Sequence, residues 1–144
     1  MGGPATGGAI RASEEFDKFQ TIIACTNSER AKHGLSPLRR SRPLRRAAQF
    51  HANNMSRRHF FAHKDTSGRT PADRVLMFQR HNHFHVIGEN IAAGYGSGRS
   101  ACHSWMASSS HRHNILDPTY RWIGVGYASG NGGDGTYYVQ DFGG

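Results

Sequence analysis

Apolar residues recur along this chain with two different periods. Phe16, Phe19, Ile22, Ile23 and Thr26 fall at helical spacing, behind Ser13-Glu14-Glu15 as an acidic start and ahead of Gly34 as a stop. Leu44, Ala47, Ala48, His51, Ala52 and Met55 line one face of a second helix over 43–58. Ser36-Pro37-Leu38 between them reads as a loop. Thr70 followed by Pro71 predicts a capped short third helix through Leu76. Val86-Ile87 and Asn90-Ile91-Ala92-Ala93 predict a short extended stretch before the glycine-rich loop 94–98. A fourth helix is expected over 99–107, with Ser97 or Ser100 near its cap. The period then changes to two. Residues 122–128 and 136–142 read as strands, and the glycine- and asparagine-rich segment 129–135 makes them a β-hairpin. Helices flank strands without regular βαβ alternation, so the class is α+β.

At 144 residues the chain has the length of one domain, and neither a repeat nor an interdomain linker interrupts it. Residues 1–12 begin Met-Gly-Gly-Pro-Ala-Thr-Gly-Gly and read as a flexible, added segment. Residues 13–144 read as a single domain. The first six residues also match the Met-Gly-x-x-x-Ser/Thr acylation pattern, a weakly specific signal. No apolar run approaches the roughly 18 residues of a membrane helix. Residues 1–13 hold no apolar leader core, which predicts either an intracellular protein or a mature fragment.

Charge sharpens the picture. Eighteen Lys+Arg against ten Asp+Glu leave +8, and Arg39, Arg40, Arg42, Arg45 and Arg46 are clustered, with Arg57 and Arg58 further on. Such a patch either is a solvated face or attracts anionic membranes and cell-wall polymers. Specific nucleic-acid recognition is not expected, for no zinc-finger spacing, RNP-type strand or heptad accompanies the patch. Cys25 and Cys102 lack metal-type spacing and lie in helical stretches. Buried free thiols are the expectation, with one bridge left open.

The chemistry concentrates in Gly88-Glu89-Asn90, in Ser108-Ser109-Ser110-His111-Arg112-His113, and in Phe60-Phe61-Ala62-His63. Two imidazoles and a carboxylate in one cleft can hold a divalent metal with an open position for water, or move protons. They can equally be a structural cluster in which a Gly-Glu-Asn turn orients His111. His51 on the apolar face is expected to be packed and hydrogen-bonded, and His103 to flank the site or lie exposed. His81-Asn82-His83-Phe84-His85 reads as a surface loop. His59 and His63 have helical metal-pair spacing, but the helix is expected to fray before them. The serines beside His111 lack a nucleophile elbow and are expected to end the fourth helix. Trp105, Trp122, Tyr137, Tyr138 and Phe142 are expected to build core and cleft walls.

Taken in order, Asn27-Ser28-Glu29-Arg30, His51, Met55, Phe60-Phe61-Ala62-His63 and Gly68-x-Thr70-Pro71-x-Asp73-Arg74 form a familiar series. It continues with Gly88-Glu89-Asn90-Ile91, Trp105-Met106-x-Ser108, His111-Arg112-x-Asn114-Ile115-Leu116, Gly124-Val125-Gly126 and Gln140-Asp141-Phe142-Gly143. Across nearly the whole chain this resembles the CAP superfamily of cysteine-rich secretory proteins, antigen 5 and plant pathogenesis-related proteins, in its short cysteine-poor bacterial form. The resemblance implies a three-layer α-β-α sandwich and a central cleft lined by two histidines and two acids. Its metal histidines fall on His63 and His111, and its first acid on Glu89. Its second acid falls on Ser108, which weakens any two-carboxylate mechanism. Ser108, Asn90 and His113 are the expected cleft lining. Zinc is the expected metal, with Glu89 as a further ligand or an acid/base. The expected function is a non-enzymatic cleft for a divalent metal or a small lipid-like or peptide ligand. The alternative is a metal-dependent hydrolase using His63, His111 and Glu89. The resemblance also implies sterol or lipid binding and a secreted or cell-surface place, the alternative being cytoplasmic or membrane-peripheral.

Overall fold

The computed structural model describes residues 7–81, 84–130 and 135–144, with side chains from residue 16. Helix α1 (Gly7–Lys32) starts six residues before the expected Ser13. Ser41 caps α2 (Arg42–Arg58), and Pro43 occupies its first turn, where its missing N–H costs nothing. His59 ends α2 in the left-handed conformation at φ 51°, so the His59/His63 helical pair does not form. Helix α3 (Pro71–Leu76) opens on a reciprocal capping box between Thr70 and Asp73. Helix α4 (Gly98–Ala107) opens on a second, in which Ser97 and Ser100 both take part. Ser108 ends α4, and a further short helix α5 (Ser109–Ile115) follows it at once.

Four strands form one sheet. They are β1 (Arg39–Arg40), β2 (Ile87–Ala93), β3 (Trp122–Ser129) and β4 (Thr136–Gly143), in the order β1-β3-β4-β2. The hairpin β3–β4 is antiparallel, as its sequence predicts, although residues 131–134 of its loop lie outside the described residues. Strand β2 runs unbroken through Gly88-Glu89-Asn90, so Glu89 sits in a strand paired with β4 and not in a turn.

Alternation along the strands sorts the core into two sides. Ile91, Val139, Ala128 and Tyr137 pack on Ala48, Ala52 and Met55 of α2. Ala92, Ile123, Val125, Tyr127, Tyr138 and Phe142 pack on Ile22, Ala101, Trp105 and Ile115 of α1, α4 and α5. The result is the expected three-layer α-β-α sandwich. The Gly124-Val125-Gly126 run has a mechanical reason. A Cβ at Gly124 would lie 2.0 Å from the Arg45 backbone nitrogen, and one at Gly126 would lie 2.4 Å from the Ala48 carbonyl. Helix α2 therefore rests its backbone directly on β3.

The free-thiol expectation for the cysteines is corrected. Cys25 of α1 and Cys102 of α4 form a disulfide, with Cα atoms 6.5 Å apart. The helices reach that distance because Gly98 lets α4 approach α1, where a Cβ would meet the Lys18 carbonyl at 2.9 Å. Among the described residues no helix is long and apolar enough to cross a membrane.

Candidate functional site

Glu89 lies in the middle of β2, directly across from Asp141 of β4. It is 6% exposed, and three elements converge on it. Arg74, placed by the α3 capping box, sends Nη2 to Glu89 Oε2 at 2.7 Å. Its Nη1 donates to the carbonyls of His63 at 2.8 Å and Arg69 at 3.0 Å. One guanidinium thus neutralises the buried acid and clamps the loop that carries His63. Asp65 fixes the same loop by accepting from the backbone of Ser67 and Arg69 and from Arg69 Nε. Held there, His63 donates from Nδ1 to Glu89 Oε1 at 2.9 Å. His51 Nε2 lies 3.8 Å from the same oxygen but donates to the Ala62 carbonyl at 2.7 Å, a packed helix histidine as expected.

The two facing carboxyls divide their labour. Burial alone would raise the Glu89 pKa, but hydrogen bonds from His63 and Asp141 and the charge of Arg74 hold it below the ordinary range. Burial, and then the Glu89 charge, push Asp141 well above the carboxylate range. An ionised Asp141 would have no donor for either oxygen. Protonated, it donates to Glu89, and the conflict disappears.

His51 carries the clearest pH signal. Burial depresses its imidazole from the ordinary 6.5, against the opposing charge of Glu89. The unfolded chain takes up that proton near 6.5 while the folded chain does not. The stability involved is present above that value and lost as pH falls through the window below it. Urea midpoints measured from about pH 8 to pH 5 should therefore fall in wild type and fall less steeply in His51→Gln. Parallel profiles for the two proteins would assign the acid sensitivity elsewhere.

His111 comes from the opposite layer. Its Nδ1 meets Ser108 Oγ at 2.8 Å, and its carbonyl accepts from Asn90 Nδ2 at 3.1 Å. Burial, and then the charge of His63, lower its pKa, which places the two imidazoles within electrostatic reach of each other. Asn90 is fully buried and does not line an open cleft. It ties His111 to Gln140, accepts from Asn114, and Gln140 in turn donates to Thr26. His113 is exposed, with Asp117 as its electrostatic neighbour, and His103 is exposed on α4. Part of the 81–85 histidine run lies outside the described residues.

The site offers two imidazole nitrogens to a metal. With Nδ1 of His63 on Glu89 and Nδ1 of His111 on Ser108, both Nε2 atoms stand without a hydrogen bond among the described residues. Both oxygens of Glu89 are already engaged, so it acts on His63 and not as a third donor. Among the described residues no three His, Cys, Asp or Glu side chains gather closely enough to hold an ion. Two nitrogens suit a loosely held, largely hydrated ion rather than a closed structural centre. Sequence reasoning missed Arg74 and Asp141 as parts of this site. The Thr70-Pro71-x-Asp73-Arg74 cap was a usable signal for the first. The cross-strand register that brings Asp141 to Glu89 was not legible.

The model of the cysteine-rich secretory protein family (CAP) matches residues 23–142. The Bacillus subtilis protein YkwD is 33% identical over 121 residues, covering 84% of this chain and 45% of that protein. The chain therefore spans less than half the length of that relative. An extracellular protein containing a SCP domain from Bacillus anthracis superposes with TM-score 0.84 at 29% identity, over 99% of this chain and 45% of that one. An outer surface protein from Borrelia burgdorferi superposes with TM-score 0.77 at 20% identity, over 86% of this chain and 90% of that one.

Proposed function

The chain belongs to the cysteine-rich secretory protein family, and from that premise we propose that its cleft is a non-enzymatic site for a weakly held divalent metal, zinc first. His63 and His111 hold the ion through their Nε2 atoms. Glu89, which can only accept, takes the His63 Nδ1 proton and so leaves that Nε2 lone pair free, and Ser108 Oγ, 2.8 Å from His111 Nδ1, does the same for His111 when it accepts. The hydrogen-bond partner on each Nδ1, with each Nε2 left unpaired among the described residues, is the observation that carries the reading. Zinc, when bound, supplies a Lewis acid. The hydrolase alternative needs a free base, and Glu89 is held ionised by Arg74, His63 and Asp141 with no oxygen to spare.

A small lipid-like ligand, a sterol included, has a separate place. A cavity of about 590 Å³ with Phe16, Phe19, Ile23 and Val125 in its wall opens beside α1 and β3. The Cys25–Cys102 bridge supports a secreted or cell-surface setting, because such bonds persist in oxidising compartments. A contact with an anionic surface through the arginine cluster completes the proposal.

Zinc titration by calorimetry tests the cleft. Wild type should bind, and His63→Ala/His111→Ala should not. Ser108→Ala should bind about tenfold more weakly, the usual cost of losing an outer partner of a ligand histidine. Equal affinity in wild type and the double variant would sink the metal reading.

A further inference from the structure

Arg30 is only 1% exposed, yet it forms no ion pair among the described residues. Its Nε donates to the Ser36 carbonyl, and its Nη1 donates to those of Ile115 and Asp117. Its Nη2 reaches only the Tyr120 carbonyl, at 3.4 Å. A guanidinium carries five N–H donors, so one on Nη2 has no acceptor among the described residues. Carbonyls bring partial charge but no counter-ion, and a buried charge is ordinarily paired. Burial lowers the Arg30 pKa, and the charge of Asp117 opposes this only in part. The Asp117 Oδ1 is turned instead to the backbone and hydroxyl of Thr119. Arg30 forms part of the wall of a cavity of about 660 Å³, within the size range of small-molecule sites. Arg39 and Arg121 line the same cavity, both exposed and neither paired with a carboxylate among the described residues. The Arg39 backbone N–H donates to the Arg121 carbonyl at 2.9 Å, which holds the two chains side by side. The β1–β3 register pairs Arg39 with Trp122, so the indole shares its face of the sheet edge. Pro37 and Pro118 add rigid apolar wall.

We infer that this cavity is a site for a small phosphate monoester carried on a ring, a nucleotide or a sugar phosphate. Arg30, Arg39 and Arg121 hold the phosphate, and the ring lies against Trp122. The wall shares no residue with the histidine cleft or with the apolar cavity beside α1, so each can fail alone. A carboxylate has two oxygens and is satisfied by one guanidinium fork. A phosphate monoester has three terminal oxygens and close to two negative charges, enough for donors from three guanidiniums. The body of the ligand follows from the rest of the wall. Half-buried Trp122 and the two prolines offer flat apolar surface, which a ring covers and a bare inorganic anion leaves wet. A bilayer surface meets Arg39 and Arg121 but cannot bring a headgroup to a guanidinium as deeply buried as Arg30.

The test titrates adenosine monophosphate, glucose 6-phosphate, inorganic phosphate and benzoate into the protein at about pH 8, where the phosphate group is a dianion. Two double variants of equal charge accompany wild type. Arg39→Gln/Arg121→Gln removes the exposed cations of the cavity, and Arg57→Gln/Arg58→Gln removes two exposed arginines at the far end of α2. At least one monoester should bind wild type more tightly than inorganic phosphate or benzoate, and the tighter of the two names the source. The cavity variant should bind it at least about tenfold more weakly, the loss expected for one charged hydrogen bond. The far-end variant should stay within about twofold of wild type, since distant exposed charges are screened. In nitrogen-15 spectra the Arg30 guanidinium and the Trp122 indole should both shift as the monoester saturates. Absence of monoester binding, or equal losses in the two variants, would overturn the site. Inorganic phosphate binding as tightly as both monoesters would overturn the ring, and tighter binding of benzoate would overturn the phosphate. Saturable binding that leaves the Arg30 and Trp122 signals unmoved would place the anion outside the cavity. Binding of phosphatidylglycerol vesicles, lost in the cavity variant, without binding of either monoester would overturn the small ligand in favour of a membrane.

Discussion

Arg74→Met lowers the stability of this protein by about 3–5 kcal/mol, the cost of stranding one member of a buried ion pair. The guanidinium is fully buried, and its partner Glu89 is 6% exposed, so water cannot take the place of the lost charge. The same substitution also leaves the carbonyls of His63 and Arg69 without their donor. Arg74→Lys should recover only part of the loss, because an ammonium cannot span Glu89 and both carbonyls from one planar fork. Adding Glu89→Gln to Arg74→Met should recover more, since a neutral amide no longer needs a counter-ion. The penalty should also shrink in acid. Glu89 has a depressed pKa, so its contribution is present above the ordinary 4.5 and is lost as pH falls through the folded value. Urea denaturation with matched slopes reads each step. A cost below about 1 kcal/mol would place the pair among exposed salt bridges and undo the account of the site.

How much of this was legible depended on how local each feature is. The apolar face of α2, the Thr70 cap and the β3–β4 hairpin each carry their signal within a few residues, and all three formed where expected. Strand β1 carries no such signal. It is two arginines, extended only because they pair with Trp122 and Ile123 some eighty positions on. Arg30 is similar. Its helix was legible, but not its burial under the carbonyls of Ser36, Ile115 and Asp117, which staples two distant loops to α1. Ser108 was read as the loss of an acid. In the fold the hydroxyl stands 2.8 Å from His111 Nδ1, so the position orients a histidine without bringing a charge. That exchange fits a site that presents nitrogens rather than one that moves protons. Asp141 shows the deepest limit. Its partner is set by strand register, and its protonation by burial beside Glu89, neither of which a single chain displays.

Removing the disulfide should have the other large effect. The bond joins residues 77 apart, and closing a loop of that length in the unfolded chain is worth about 4.5 kcal/mol at 25 °C in the chain-entropy description. Domains of this size are stable by about 5–15 kcal/mol, so the bridge supplies a large share of the margin. Cys25→Ser/Cys102→Ser should nevertheless fold. Helix α1 keeps Ile22 in the core, the Arg30 bonds to the segment after α5, and the Gln140–Thr26 contact with β4. The expected result is a lower urea midpoint with a somewhat steeper slope, because the uncrosslinked unfolded chain exposes more surface, and reduced wild type should superimpose on the double variant. A slope shallower than that of the oxidised wild type would mean that α1 had come away from the sheet before unfolding. The size of the shift also bears on where the protein works. A loss of several kcal/mol on reduction leaves little stability in a compartment that keeps thiols reduced, and fits an exported protein. If reduction moves stability by less than about 1 kcal/mol, the bridge adds little to the contact between α1 and α4, and the structural support for export goes with it.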